Sequence, residues 1–277
     1  MTTDSEIFQK HSQILKQAVL ILENRISQIE EKAKDAKYSS LAYEERENVI
    51  SIFKIRSLRF YKDTLFYISE TLNNDSFQGY VFVLPNIRTL IDIYGKFIHL
   101  LEKCSDEDQQ AMVCFALQLL VSKSLDSEVE YQKMLGICSN FLAKKNYVFP
   151  SNVNMYGRKW VKNNKLSFDT MDKILTPQNM KKYSRDVFNI FGTDKHYAIF
   201  SYFSELVHGN PYCYTGKDQN EKFWVVSMSM SITAFLIEIV DNYTLKKVNP
   251  KDFRTWINEV KNNKKDLLDP WIKKVKK

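Results

Sequence analysis

The sequence predicts an all-α protein, and three observations carry that expectation. Apolar residues recur at helical spacing in one segment after another. Only 7 glycines and 6 prolines punctuate 277 residues, fewer than the turns of a sheet protein usually demand. No alternation of apolar and polar residues lasts long enough to build a sheet. With 44% hydrophobic and 26% charged residues, the chain has an ordinary globular composition. Its 18 Phe and 15 Tyr supply bulk for a core. The expected architecture is one helical domain over residues 1–277. It is a bundle of about eight to nine helices led by a long amphipathic one.

That first helix is expected over about residues 4–36, within an N-terminal region 1–40. Phe8, Leu15, Leu22 and Ile29 recur every seven residues, with Val19, Ile26 and Ala33 beside them and Ile7, Ile14 and Ile21 widening the face. Such a stripe serves either as a coiled-coil or homodimer seam or as the inner face of an intramolecular bundle helix, and the bundle is the favoured reading. Helical spacing returns from Tyr43 to Leu72. A third helix is expected from Phe77 to Lys103, with Pro85 set to kink or split it. "SDED" at Ser105 reads as an N-cap with acids in the first turn, opening a helix to Lys123. Another is expected from Ser127 to Lys144. After an aperiodic stretch, helices are expected at Pro177–Phe191, Lys195–Val207, Glu221–Lys246 and Pro250–Lys265.

The formal net charge of +7 has a definite location. Between Lys144 and Lys182 nine basic residues face only Asp169 and Asp172, so this segment holds the whole excess. Within it, 146–176 reads as a basic irregular loop. A basic tail, 261–277, ends the sequence. Patches of this kind can hold phosphates, or can be solvated loop and tail. Tyr147, Tyr156 and Trp160 interleave the basic residues and could stack on bases. Lys144, Lys145, Arg158, Lys159, Trp160, Lys162 and Lys165 are therefore candidate RNA contacts.

Several classes lose support. The apolar run Phe223–Val240 is broken by Ser227, Ser229, Ser231, Thr233 and Glu238, which reads as a core helix and gives no membrane expectation. The N-terminus lacks the pattern of a signal peptide, and the four cysteines show no paired spacing, so reduced thiols in a cytoplasmic protein are expected. There is no dinucleotide, P-loop or nucleophile-elbow motif, and no two-His metal spacing, so neither cofactor nor metal is expected. Among the lesser histidines, His11 reads as a solvent or seam position, His99 as core, and His196 as part of a helix start.

Two constellations remain. In "YFSELVHGNPY", His208 ends a helix, Ser204 lies one turn earlier, and Tyr202, Asn210, Tyr212 and Tyr214 crowd the same end. A histidine there can cap terminal carbonyls, or can transfer protons near neutral pH. In "NIRTLIDIYGKF", Arg88 and Asp92 stand four apart on a strongly apolar helix, with Tyr94 nearby. Such a charged pair braces the interior or lines a polar cleft.

Together "IRTLIDIYGKF" and "YFSELVHGNPY" resemble a bacterial all-helical family carrying an Arg–acid helix and a Tyr, Ser, His-Gly signature, over residues 45–245. Arg88, Asp92, Ser204 and His208 carry the likeness, Tyr202 less closely. That family is distantly similar to the HEPN superfamily, whose members include metal-independent, dimeric ribonucleases of toxin and phage-defence systems. The HEPN hallmark places an Arg shortly before the His on one helix. Here Ser201, Tyr202 and Phe203 occupy those positions, so Arg88 would have to come from another helix. The resemblance implies an endoribonuclease in which His208 moves a proton, Arg88 stabilises the phosphorane, Asp92 orients Arg88, and Ser204 or Asn210 positions phosphate beside Tyr212. A different expectation is a non-catalytic sensor or interaction module, in which Arg88, Asp92 and His208 form a structural polar network.

Overall fold

The computed structural model describes residues 4–35, 46–73, 77–98, 100–101, scattered positions between 104 and 136, 147–148, 160–162, 165–168, 196–208 and 219–270. Helices dominate these residues: α1 (Asp4–Asp35), α2 (Arg46–Asn73), α3 (Phe77–Ile98), α4 (His196–Val207), α5 (Gln219–Ile239) and α6 (Lys251–Asn263). The class is all-α as expected, with six helices among the described residues where about eight to nine were expected. The expected Pro177–Phe191 helix and most of Ser105–Lys144 lie outside the described residues, although Glu107, Ala111, Cys114 and Lys133 have helical backbone. Pro85 lies inside α3 and does not divide it.

The aperiodic basic segment holds three short strands, β1 (Tyr147–Val148), β2 (Trp160–Lys162) and β3 (Lys165–Phe168), in an antiparallel ribbon of order β1-β2-β3. Strands of two to four residues are too short for alternation to register in the sequence.

Two compact units group these elements. The first comprises Met1–Gln28, Ser57–Gly95 and Lys181–Lys277; the second comprises Ile29–Arg56 and Lys96–Met180. Each is assembled from separated segments, which is why no composition shift or linker marks a boundary in the sequence.

In the first unit, α1 has no Gly or Pro to interrupt it, and its stripe is covered by the chain itself. Phe8, Ile14, Leu15 and Leu22 are fully buried, each such side chain stabilising the fold by about 1.5–3 kcal/mol. Opposed ion pairs fix its neighbours. Lys16–Glu70 at 2.6 Å and Glu23–Lys62 at 3.5 Å run α2 antiparallel to α1. The Trp256 indole Nε1 donates to the Ile14 carbonyl at 2.8 Å, and Lys10 pairs with Glu259 at 2.9 Å, which lays α6 along α1. The seam reading of α1 thus gives way to the bundle reading, since its apolar face is occupied from within.

Helix α5 has the length and apolarity of a membrane span, but most of it is buried in the protein. Its hydroxyls bond inward: Thr233 Oγ1 donates to the Ser229 carbonyl at 2.6 Å and meets the buried Tyr61 hydroxyl at 2.9 Å. This back-bonding lets polar side chains share a core with Val225, Met228 and Leu236. Helix α5 ends in one widened turn, Val240–Thr244, closed by Leu245 N donating to Val240 O at 3.0 Å. Lys246 and Asn249 then take left-handed backbone, φ 55° and 49°, to reverse the chain into α6. The second unit has its own core of Val49, Ile55 and Cys114, with the Phe53 and Phe97 rings 5.7 Å apart.

Candidate functional site

Ser204 and His208 sit at the C-terminal end of α4, in the first unit. The short apolar pattern of Ile199, Phe203 and Leu206 makes this helix, and Phe203 is its fully buried anchor. His208 follows the last helical residue, and its backbone N–H donates to the Ser204 carbonyl at 3.0 Å, satisfying one terminal carbonyl. The imidazole itself is exposed, while Ser204 is half-buried. Tyr202 is half-buried beside the Phe203 ring, at 6.2 Å between centroids. Asn210 and Tyr212 lie outside the described residues.

Arg88 and Asp92 occupy successive turns of α3 in the same unit. Both are half-buried; the Arg88 Nε and Asp92 Oδ1 atoms are sealed from solvent, and both residues are engaged by neighbours. Tyr94 belongs to the core, its ring 6.1 Å from Phe235 on α5. No hydrogen bond or ion pair among the described residues joins the Arg88–Asp92 pair to Ser204 or His208. Because the imidazole faces solvent, it is no member of a buried brace, and that part of the structural-network expectation is corrected.

Of the RNA candidates, Trp160, Lys162 and Lys165 fall on the ribbon of the second unit. Backbone register pairs Trp160 with Phe168 and Lys162 with Lys165 across β2 and β3, with an irregularity after Trp160. Lys144, Lys145, Arg158 and Lys159 lie outside the described residues.

The strongest polar constellation of the first unit is one the motifs did not reveal. Arg25, on the apolar stripe of α1, is 2% exposed. Its Nε and Nη2 donate to the Asp241 carboxylate at 2.6 and 3.2 Å, and its Nη1 and Nη2 donate to Asp252 at 2.7 and 2.9 Å. Asp241 is sealed in the widened turn after α5. Asp252, more open, also accepts the Phe253 backbone N–H at 2.8 Å in the first turn of α6. Burial pushes the Asp241 carboxyl up, against the pull of Arg25. The Arg25 hydrogen bond holds Asp252 below the usual carboxylate range. Burial works against the Arg25 charge, but the two carboxylates together raise its pKa. Two bidentate forks satisfy the guanidinium in a geometry only Arg provides.

The signal was there in the repeat. His11, Ala18 and Arg25 stand seven apart, and all three are buried. A polar residue at a heptad position of an apolar stripe must find partners inside the fold. His11, expected at solvent or a seam, is such a case. It is fully buried, its Nδ1 lies against the Ile7 carbonyl and its Nε2 has no partner. Burial lowers its pKa to about 4, against the opposing Ile7 hydrogen bond, so the ring is neutral at pH 7.

In the second unit, burial lowers the Lys54 pKa, with Cys114 and Glu107 opposing, and raises that of Cys114. Such a thiol is a packing group with little thiolate character. Among the described residues, no three His, Cys, Asp or Glu side chains cluster as a metal ion needs. Comparison with family models, with curated proteins and with solved structures found no match to the chain.

Proposed function

We propose that this chain binds single-stranded RNA, or another ligand with the same phosphate chemistry, through its basic segment, and that His208 is the proton-transfer group of a metal-independent RNA cleavage. The observation that carries the binding half is the β2–β3 register, which makes cross-strand partners of two aromatic residues and of two lysines. Aromatic pairs stack on bases and lysines hold phosphates, and neither requires a particular sequence. The cleavage half is supported by a solvent-accessible imidazole with a hydroxyl residue one turn away, in the unit that also carries Arg88 and Asp92. His208 would take the 2′-OH proton or protonate the leaving oxygen, and Arg88, oriented by Asp92, would stabilise the pentacovalent phosphate.

Binding is tested by fluorescence anisotropy with a labelled single-stranded RNA over a salt series. W160A should weaken binding, and K162E/K165E should weaken it further while flattening the salt dependence by about two units of log–log slope. Unchanged affinity in both variants removes the ribbon from the proposal. Cleavage is tested with the same RNA in EDTA. Activity lost in both H208A and R88A supports the site, and activity retained by the double variant assigns the cleavage to a contaminant.

A second reading, an interaction module without catalysis, is favoured by one observation. Leu20, Phe60, Phe66 and Tyr67 leave large apolar surface exposed on the first unit.

A further inference from the structure

The outward face of the α1–α2 pair combines exposed apolar side chains with an alternating rim of charge. Leu20 is 65% exposed, Phe60 59%, Phe66 49% and Tyr67 48%. Isolated apolar residues at a surface are ordinary, but these are not scattered. The ion pairs Lys16–Glu70 and Glu23–Lys62 set the antiparallel register of the two helices. Leu20 stands midway between Lys16 and Glu23 on α1, and Phe66 midway between Lys62 and Glu70 on α2. The register therefore sets Leu20 and Phe66 level with each other, between the two ion pairs. Tyr67 and Phe60, seven apart, continue the apolar surface along the far flank of α2. All of these residues belong to the first unit.

The rim decides what such a face can meet. Going round it, the charges run Lys16, Glu70, Lys62, Glu23, so the sign changes at every corner. A face-to-face dimer has its two-fold axis in the plane of the interface. If that axis crosses the helices, Lys16 meets Glu23 of a second copy and Lys62 meets its Glu70. If it runs along the helices, Lys16 meets Glu70 and Glu23 meets Lys62. Either operation sets every charge against its opposite and stacks the apolar centres. A surface that is its own electrostatic complement is matched by itself, and exposed aromatics are the side chains that anchor such interfaces.

We infer that this chain forms a two-fold homodimer through the outer face of α1 and α2, with Leu20, Phe60, Phe66 and Tyr67 buried between copies and the four rim charges paired across the axis. This face is opposite the apolar stripe of α1, which the chain fills for itself. The inference is independent of RNA binding.

Sedimentation velocity of the full chain over a concentration series tests it. The wild type should approach twice its chain mass of 32.7 kDa. The double variant L20E/F66E should have the mass of one chain with an unchanged far-UV spectrum, because both positions are exposed within the protomer. E23K/E70K makes the rim positive throughout. It should raise the dissociation constant by about tenfold at low salt, with relief as salt rises. V248E, an exposed position away from this face, should leave the dimer intact. A wild-type mass of one chain throughout, or a dimer that persists in L20E/F66E, overturns the interface. Indifference to E23K/E70K overturns the self-complementary rim.

Discussion

Arg25 and His208 both stand on helices of the first unit, yet one is sealed among apolar side chains and the other faces solvent. Arg25 holds four hydrogen bonds to two carboxylates, whereas the imidazole of His208 is exposed and only its backbone is tied down. The contrast separates bracing from chemistry. A charge that is fully paired and sealed has no capacity left for a substrate, while an exposed imidazole contributes little to the core and is free to exchange protons.

Removing Arg25 is the hardest test of this contrast. R25A leaves Asp241 buried without its partner and should destabilise the protein by about 3–5 kcal/mol in urea unfolding. A loss near zero would mean that the fork is dispensable.

His11 gives the next largest effect, and its sign is set by burial. Its folded pKa of about 4 lies below the model value of 6.5, so the unfolded chain binds more protons between those values. Stability is full above pH 6.5 and falls by about 2–3 kcal/mol as pH drops toward 4. H11L should flatten that loss in a series of melts at different pH. Asp252 works in a separate window, because its folded pKa is depressed. Its contribution is present above the unfolded carboxylate range and disappears as pH falls through the folded value. D252N should cost about 1 kcal/mol, less than loss of Arg25, because solvent screens this carboxylate.

The smallest effect belongs to the other side of the comparison. H208A should shift unfolding by no more than about 0.5 kcal/mol. A loss comparable to that of R25A would make His208 a structural residue and sink the contrast.

The helices were legible because their apolar spacing is written over many turns, as in α1, where Phe8, Leu15, Leu22 and Ile29 all reach the core. The strands were not, because β1 to β3 are shorter than the alternation that would announce them. Arg88 and Asp92 stood out because the pair lies close in sequence. Arg25 and Asp241 lie 216 residues apart, and only the fold joins them. The break in the stripe at Arg25 was the available clue. His11 and Arg25 share the heptad position of Ala18, and a polar residue there points to an internal partner. The exposed aromatics of α2 were hidden for another reason: sequence periodicity shows that a helix has two faces, and not which apolar residues the fold leaves uncovered.

The long reach from Arg25 to Asp241 and Asp252 also bears on how the protein is made. The first helix leaves the ribosome with its apolar stripe bare, and the segments that cover it, together with both carboxylates, are translated more than 200 residues later. At roughly 5–20 residues per second, that interval is tens of seconds. For that time the nascent chain carries an unshielded greasy surface and an unmatched cation. Its success in the cell thus depends on a holding chaperone as well as on the finished architecture.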